Sequence, residues 1–184
     1  MVHKGFIFTT VKATFLDPDG GSFERDVVRH PGAVAIVPMT DADSVLLVHQ
    51  FRPAVNRWLL EVPAGTQDVV GEPPETTAHR ELAEELGRRA EQLVLLTQCL
   101  NTPGICDEVT TVFLATGLHP VPTNRQGLEE GFMSIEEIPL SRFDQLVEDG
   151  TIVDAVTILG VALARRRPAP DGPAPDHQGH SRTG

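Results

Sequence analysis

Four short runs between Phe23 and Val62 limit what this chain can fold into. FERDVVR, AVAIVPM, SVLLVHQ and WLLEV are rich in β-branched and other apolar residues, and DPDGG, HPG and TDAD punctuate them with turn residues. Runs of this kind read as strands of a mixed sheet. Further strands are expected at LVLLTQC and EVTTVFLATGL, and at GFMSI after a polar loop. The spacing predicts one clear helix over Pro74 to Leu86, with proline acceptable in its first turn, Glu75 near the positive end of the dipole and Gly87 as the stop. Ser141, with Asp144 three residues on, predicts a capped second helix, and TIVDAVTILGVALARRR predicts a last one whose basic end suits the negative pole. Strands interrupted by one helix and closed by others indicate an α+β fold or a helix–sheet–helix sandwich.

At 184 residues and 40% hydrophobic content the chain fits one domain, expected over residues 1–167. From Pro168 to Gly184 the sequence is dense in Pro and Gly and nearly devoid of large apolar residues, so a disordered tail is expected. A net charge of −11 argues against phosphate-neutralising nucleic-acid surfaces, which need clustered Lys and Arg. No apolar run reaches the length that spans a bilayer, and the N-terminal residues do not read as a secretory leader, so no membrane partner and a cytoplasmic location are expected. Cys99 and Cys106 have no partners at metal-ligand spacing and read as ordinary reduced thiols.

The chemistry concentrates in HRELAEELG, residues 79 to 87. On a helix Glu85 lies about 40° from Glu81, and Glu84 about 60° to the other side, which gathers three carboxylates in one stripe beside Leu82 and Leu86. Like charges at i,i+4 repel slightly, so a helix selected for solubility alone would favour opposite charges there. Hard divalent cations bind carboxylate oxygens beside substrate phosphates. Taken alone, such a charge run is more often a solvated face. The context is a strand and small-residue turn, EVPAG at 61 to 65, followed by a loop to Glu72 and then the helix.

Glu72-x7-Arg80-Glu81-Leu82-x-Glu84-Glu85-x-Gly87 resembles the box of the Nudix hydrolases. Two departures stand beside the likeness. Six residues, TQDVVG, separate Gly65 from Glu72 where the usual box has five, and Arg88 occupies a position that is usually apolar. The longer loop leaves the helical spacing intact.

QFRPAV, LLEVPAG and NTPGICDEVTTVFLATGL, with Pro103 sixteen residues after Gly87, further resemble the ADP-ribose pyrophosphatase group. The likeness implies a Nudix-type α/β/α sandwich with a mixed central sheet and an N-terminal antiparallel region. It implies Mg²⁺, with Mn²⁺ as a substitute, held by Glu81, Glu85, Glu84 and the carbonyl of Ala64. It also implies that Arg80 orients the glutamates and that a glutamate of the QGLEEGFMS loop, Glu130 before Glu129, takes a proton from the attacking water. Arg52, Glu61 and Glu108 would contact a nucleoside diphosphate derivative, and the strands of residues 1–30 would pair two copies into a homodimer. Plainer readings stand beside these: Arg80 as a surface ion pair, Arg52 as a strand-end charge, Glu108 as a turn residue, and Glu129 and Glu130 as a solvated loop. Pyrophosphatases for sugar nucleotides or dinucleoside polyphosphates are the alternative activities, and a non-catalytic Nudix-fold module is the alternative class.

Overall fold

The computed structural model describes residues 2–122 and 132–167. The chain opens with a small antiparallel sheet of β1 (His3–Lys4), β2 (Thr9–Leu16) and β3 (Ser22–Arg29), in that order. The main sheet comprises β4 (Ala33–Thr40), β5 (Ser44–Arg52), β6 (Arg57–Glu61), β7 (Ala64–Thr66), β8 (Arg88–Leu100), β9 (Val109–Pro120) and β10 (Ser134–Pro139). Its spine runs β10-β5-β4-β9-β8, and only the β4–β9 pair is parallel, so the sheet is mixed as expected.

Strand alternation divides the interior into two cores. Val34, Ile36, Leu46, Val48, Phe113 and Ala115 point to one face, where they meet Ala78, Leu82 and Leu86 of helix α1 (Pro74–Leu86). Ala35, Val37, Val45, Leu47, Val112 and Leu114 point to the other, under Phe143 of α2 (Leu140–Glu148) and Val161 and Ala164 of α3 (Ala155–Ala164). The result is the expected α/β/α sandwich. Among the described residues no helix is long and apolar enough to cross a membrane.

One irregularity of the sheet matters for the site. β4 and β5 pair only at their hairpin end, Met39 with Val45 and Thr40 with Ser44, and then diverge. β6 lines β5 and β7 lines β4, so the strand–turn at Glu61 to Gly65 fills the fork between them.

The small N-terminal sheet is tied to the body through the loop after β8. Val28 N–H donates to the Ile105 carbonyl at 2.8 Å and Asp107 N–H to the Val28 carbonyl at 3.2 Å. Arg29 donates to Asp107 at 2.9 Å. That bond and the His30 N–H hold the Asp107 carboxyl below the usual carboxylate range.

Two expected helix boundaries are corrected. α2 begins at Leu140 directly after Pro139, which places Ser141 inside the first turn, where it makes no cap; Asp144 instead receives Arg165 at 2.6 Å. The last helix does not start at Thr151. Its cap is Asp154, and it ends at Ala164, so Arg165 closes it and turns back to α2 while Arg167 reaches the Leu95 carbonyl. Periodic apolar residues at 152, 153 and 156 extended the helical pattern across a cap that only the local backbone reveals. Cys99 and Cys106 are free; burial, with the charges of Glu108 and Asp154 behind it, pushes the Cys99 thiol up.

Close packing of α3 on the sheet rests on Gly160, where an added Cβ would stand 2.8 Å from Val37 Cγ2. Alanine improves helix propensity by about 1 kcal/mol, whereas overpacking costs about 1–3 kcal/mol. Gly160→Ala is therefore expected to destabilise the protein in urea unfolding, and the double variant with Val37→Ala to recover part of that loss. Two simply additive losses would show that the contact is not the cause.

Candidate functional site

The acidic helix is well terminated but uncapped at its start. Pro73 precedes it without a side-chain bond, Pro74 fills the first position, and Gly87, at φ 61° and ψ 39°, donates to the Ala83 and Leu82 carbonyls. Glu72, in the loop before it, accepts the Thr77 hydroxyl at 2.7 Å, which fixes the loop to the first turn.

Glu81 and Glu85 are not on a solvated face. Only 8% and 5% of their surfaces are exposed, and both lie against the strand–turn in the sheet fork. The Ala64 N–H donates to Glu85 Oε2 at 3.2 Å. Gly65 explains the position of Glu81: a Cβ there would come within 2.1 Å of both Cδ and Oε1 of that carboxylate. Only a residue without a side chain lets the turn and the glutamate share this space.

Arg80 gathers the carboxylates. Its Nη1 lies 2.7 Å from Glu81 Oε1 and 3.4 Å from Glu84, while Nη2 is 3.6 Å from Glu72 and 3.8 Å from Asp68. Burial alone would lower this guanidinium's pKa, but the charges of Glu81, Glu84, Glu72 and Asp68 outweigh it and raise the value. Nε and Nη2 are buried and have no hydrogen-bond partner among the described residues.

Ala64 and Gly65 also line a cleft of about 250 Å³ that holds Arg52, Glu61, Glu108 and Asp154. Arg52 Nε bonds both oxygens of Glu61, at 3.1 and 2.9 Å, and Gln50 donates to the same carboxylate at 2.9 Å. Glu61 is thus a buried anchor that fixes the guanidinium in the cleft wall. Burial works against the charged form of Arg52, yet the bond and charge of Glu61, followed by Glu85 and Asp154, raise its pKa. Glu108 accepts Asn101 at 3.2 Å and Thr110 at 3.0 Å, which orders it at the other part of the cleft.

Sequence reading did not single out Gln50, Asn101, Thr110, Asp154 or Thr157. The pair Asp154 and Thr157 had a signal, an N-cap residue before an apolar run, but it was hidden by starting that helix too early. The others carry no pattern of their own: Asn101 and Thr110 reach the cleft through the pairing of β8 with β9, and Gln50 reaches Glu61 from β5. Glu129 and Glu130 lie outside the described residues.

Among the described residues no three ligand-type side chains form a ready-made metal cage. The donor set nevertheless fits a hard divalent cation. One guanidinium faces four carboxylates within 4 Å, which leaves excess negative charge beside a cleft, and Mg²⁺ ordinarily uses one or two carboxylates and completes its shell with water and phosphate oxygens.

An acidic helix clasping a glycine turn inside an α/β/α sandwich is a defined class of site, and the chain belongs to the Nudix family, whose NUDIX domain profile matches residues 29–155. Within it, the chain is 41% identical over 160 residues to an ADP-ribose pyrophosphatase of Mycobacterium tuberculosis, covering 87% of this chain and 77% of that one. A second relative, the ADP-ribose pyrophosphatase of Bacillus subtilis, is 38% identical over 152 residues, covering 83% and 82%. The fold is shared with a solved ADP compounds hydrolase at a TM-score of 0.77 and 24% identity, over 89% of this chain and 88% of the other.

Gly65→Ala is expected to drive the Glu81 carboxylate from its place and to cost about 1–3 kcal/mol in urea unfolding, as overpacked sites do. Gly104→Ala, where nothing lies within 4 Å, is the matched control and should unfold like wild type. Equal stability of the Gly65 variant would contradict the steric account of Glu81.

Proposed function

We propose that the protein is a divalent-cation-dependent pyrophosphohydrolase that cleaves a nucleoside diphosphate linked to another group, with ADP-ribose as the foremost substrate and AMP and ribose 5-phosphate as products. The observation that carries this reading is the burial of Glu81 and Glu85 directly behind Ala64 and Gly65, on the wall of a cleft that also presents Arg52. The names of the two bacterial relatives support the choice of substrate.

In this reading Glu81, Glu85, Glu84 and the carbonyl of Ala64 hold Mg²⁺, with Mn²⁺ able to replace it. The cation supplies charge neutralisation at the pyrophosphate and eases deprotonation of water. Arg80 keeps the glutamates from spreading apart under their mutual repulsion. Arg52, aimed by Glu61 and Gln50, meets the anionic part of the substrate, and Glu108, held by Asn101 and Thr110, offers an acceptor to a hydroxyl group. Glu130 receives the proton of the attacking water, with Glu129 next to it in the sequence as the alternative. Retention of Arg80 and all three helix glutamates favours a working enzyme over a non-catalytic module.

The deciding experiment is a panel of ADP-ribose, ADP-sugars, NADH, dinucleoside polyphosphates and 8-oxo-dGTP with Mg²⁺, comparing kcat/KM and identifying products. ADP-ribose is expected to lead, Glu85→Gln to lose several orders of magnitude in turnover, and Glu130→Gln to lose roughly 10² to 10⁴ with partial rescue at high pH. A sugar nucleotide or dinucleoside polyphosphate in first place would reassign the substrate. Turnover retained in Glu85→Gln would remove the helix from the chemistry.

We also propose that the protein is a homodimer formed through the N-terminal sheet. Phe15 and Phe23 stack at 5.7 Å on β2 and β3 with Arg25 over Phe23, and both rings stand exposed. With β1 only two residues long, this sheet is close to a two-stranded hairpin, which is marginal on its own, and its open apolar rings suit burial against a partner. Light scattering at micromolar concentration is expected to give twice the chain mass, and Phe15→Glu to shift it toward the monomer; a monomeric wild type with full activity would refute the proposal.

A further inference from the structure

Val62 stands where the chain leaves β6 and crosses to β7, so its N–H belongs to neither strand ladder, and Pro63 after it has no N–H at all. With 1% of its surface exposed, Val62 cannot turn that donor to water. The acceptor comes from across the core: Thr157 Oγ1 of α3, on a fully buried residue, takes it at 2.9 Å. Thr157 in turn donates its hydroxyl proton to Asp154 Oδ2 at 2.7 Å, and the same oxygen caps the helix by accepting the Thr157 N–H at 2.8 Å. A hydroxyl whose only proton is committed to a carboxylate must present lone pairs to its other neighbour, so the direction of each bond in the chain is fixed.

Capping α3 does not need the Thr157 hydroxyl; Asp154 does that through the backbone N–H. The hydroxyl serves the crossover, and the crossover carries the site. Glu61 precedes Val62 and aims Arg52, Ala64 donates to Glu85, and Gly65 makes room for Glu81. We propose that Asp154 and Thr157 are positioning residues for the cation site: their relay to Val62 N–H seats the segment 62–65 against α1 and thereby sets how Ala64 and Gly65 meet Glu81 and Glu85. This inference rests on the proposed role of those glutamates in holding the cation.

The test is Mn²⁺ binding to the full chain without substrate, read from the loss of the free-ion electron paramagnetic resonance signal. Thr157→Val, which keeps the shape and removes the hydroxyl, is expected to weaken Mn²⁺ binding roughly 10-fold or more, the usual effect of disturbing groups behind a metal's ligands. Thr157→Ser restores the hydroxyl and should bind as wild type does. Val161→Ala, a cavity on the same helix away from the relay, should lower the melting temperature while leaving Mn²⁺ affinity unchanged. If Thr157→Val fails to fold, Thr157→Cys, whose thiol is a weak acceptor, takes its place and should bind Mn²⁺ more weakly than wild type. Wild-type affinity in the folded valine or cysteine variant, or an equal loss in Val161→Ala, overturns the relay. Mn²⁺ binding by the wild type that survives Glu85→Gln, or is absent altogether, overturns the cation site itself and the relay with it.

Discussion

Keeping carboxylates out of water is the constraint around which this molecule is arranged. An ionised group buried without compensation costs far more than a protein's margin of stability, so each buried carboxylate needs partners supplied by the fold. Glu61 meets Arg52 and Gln50, Glu85 meets the Ala64 N–H, and Glu81 meets Arg80. Those partners sit on β5, on the strand–turn and on α1 itself, so the compensation works only if the sheet forks and the turn enters the fork. The divergence of β4 and β5 is therefore part of the site, and the two hydrophobic cores on either side hold it open.

The net charge of −11 and an anionic substrate are compatible because charge acts locally. Arg80 and Arg52 are both held in the charged state by surrounding carboxylates, one behind the turn and one within the cleft. The first organises acidic groups, and the second remains partly open to a ligand, with 42% of its side chain exposed. Two arginines in different settings thus do separate work on carboxylates that flank the same turn.

Much of this was legible in the sequence because periodicity reports burial. The apolar, β-branched runs AVAIVPM and SVLLVHQ read correctly as strands of a mixed sheet, and Pro74, Glu75 and Gly87 bounded α1 correctly at both ends. The stripe of Glu81, Glu84 and Glu85 was visible as geometry, but its burial was not, since a helix does not show which face meets a turn sixteen residues upstream. Ser141 failed as a cap because α2 already begins at Leu140, with Pro139 in the cap position two residues earlier, and Asp154 was passed over because apolar residues continue on both sides of it. The contacts of Thr157 with Val62, 95 residues apart, and of Arg29 with Asp107, 78 apart, come from strand order, and one sequence does not reveal that order.

The bridge between Val28 and Cys106 joins parts with different neighbours. On one side lies the outer sheet with its open aromatic face; on the other, Asp107 is gripped by Arg29 and His30, and the next residue, Glu108, lines the cleft beside Arg52. Because these are backbone bonds in register, β3 cannot slide or tilt without carrying 105–107 along, and the cleft wall follows. The outer sheet and the cleft wall are in this sense one piece, joined by two backbone bonds one residue short of Glu108.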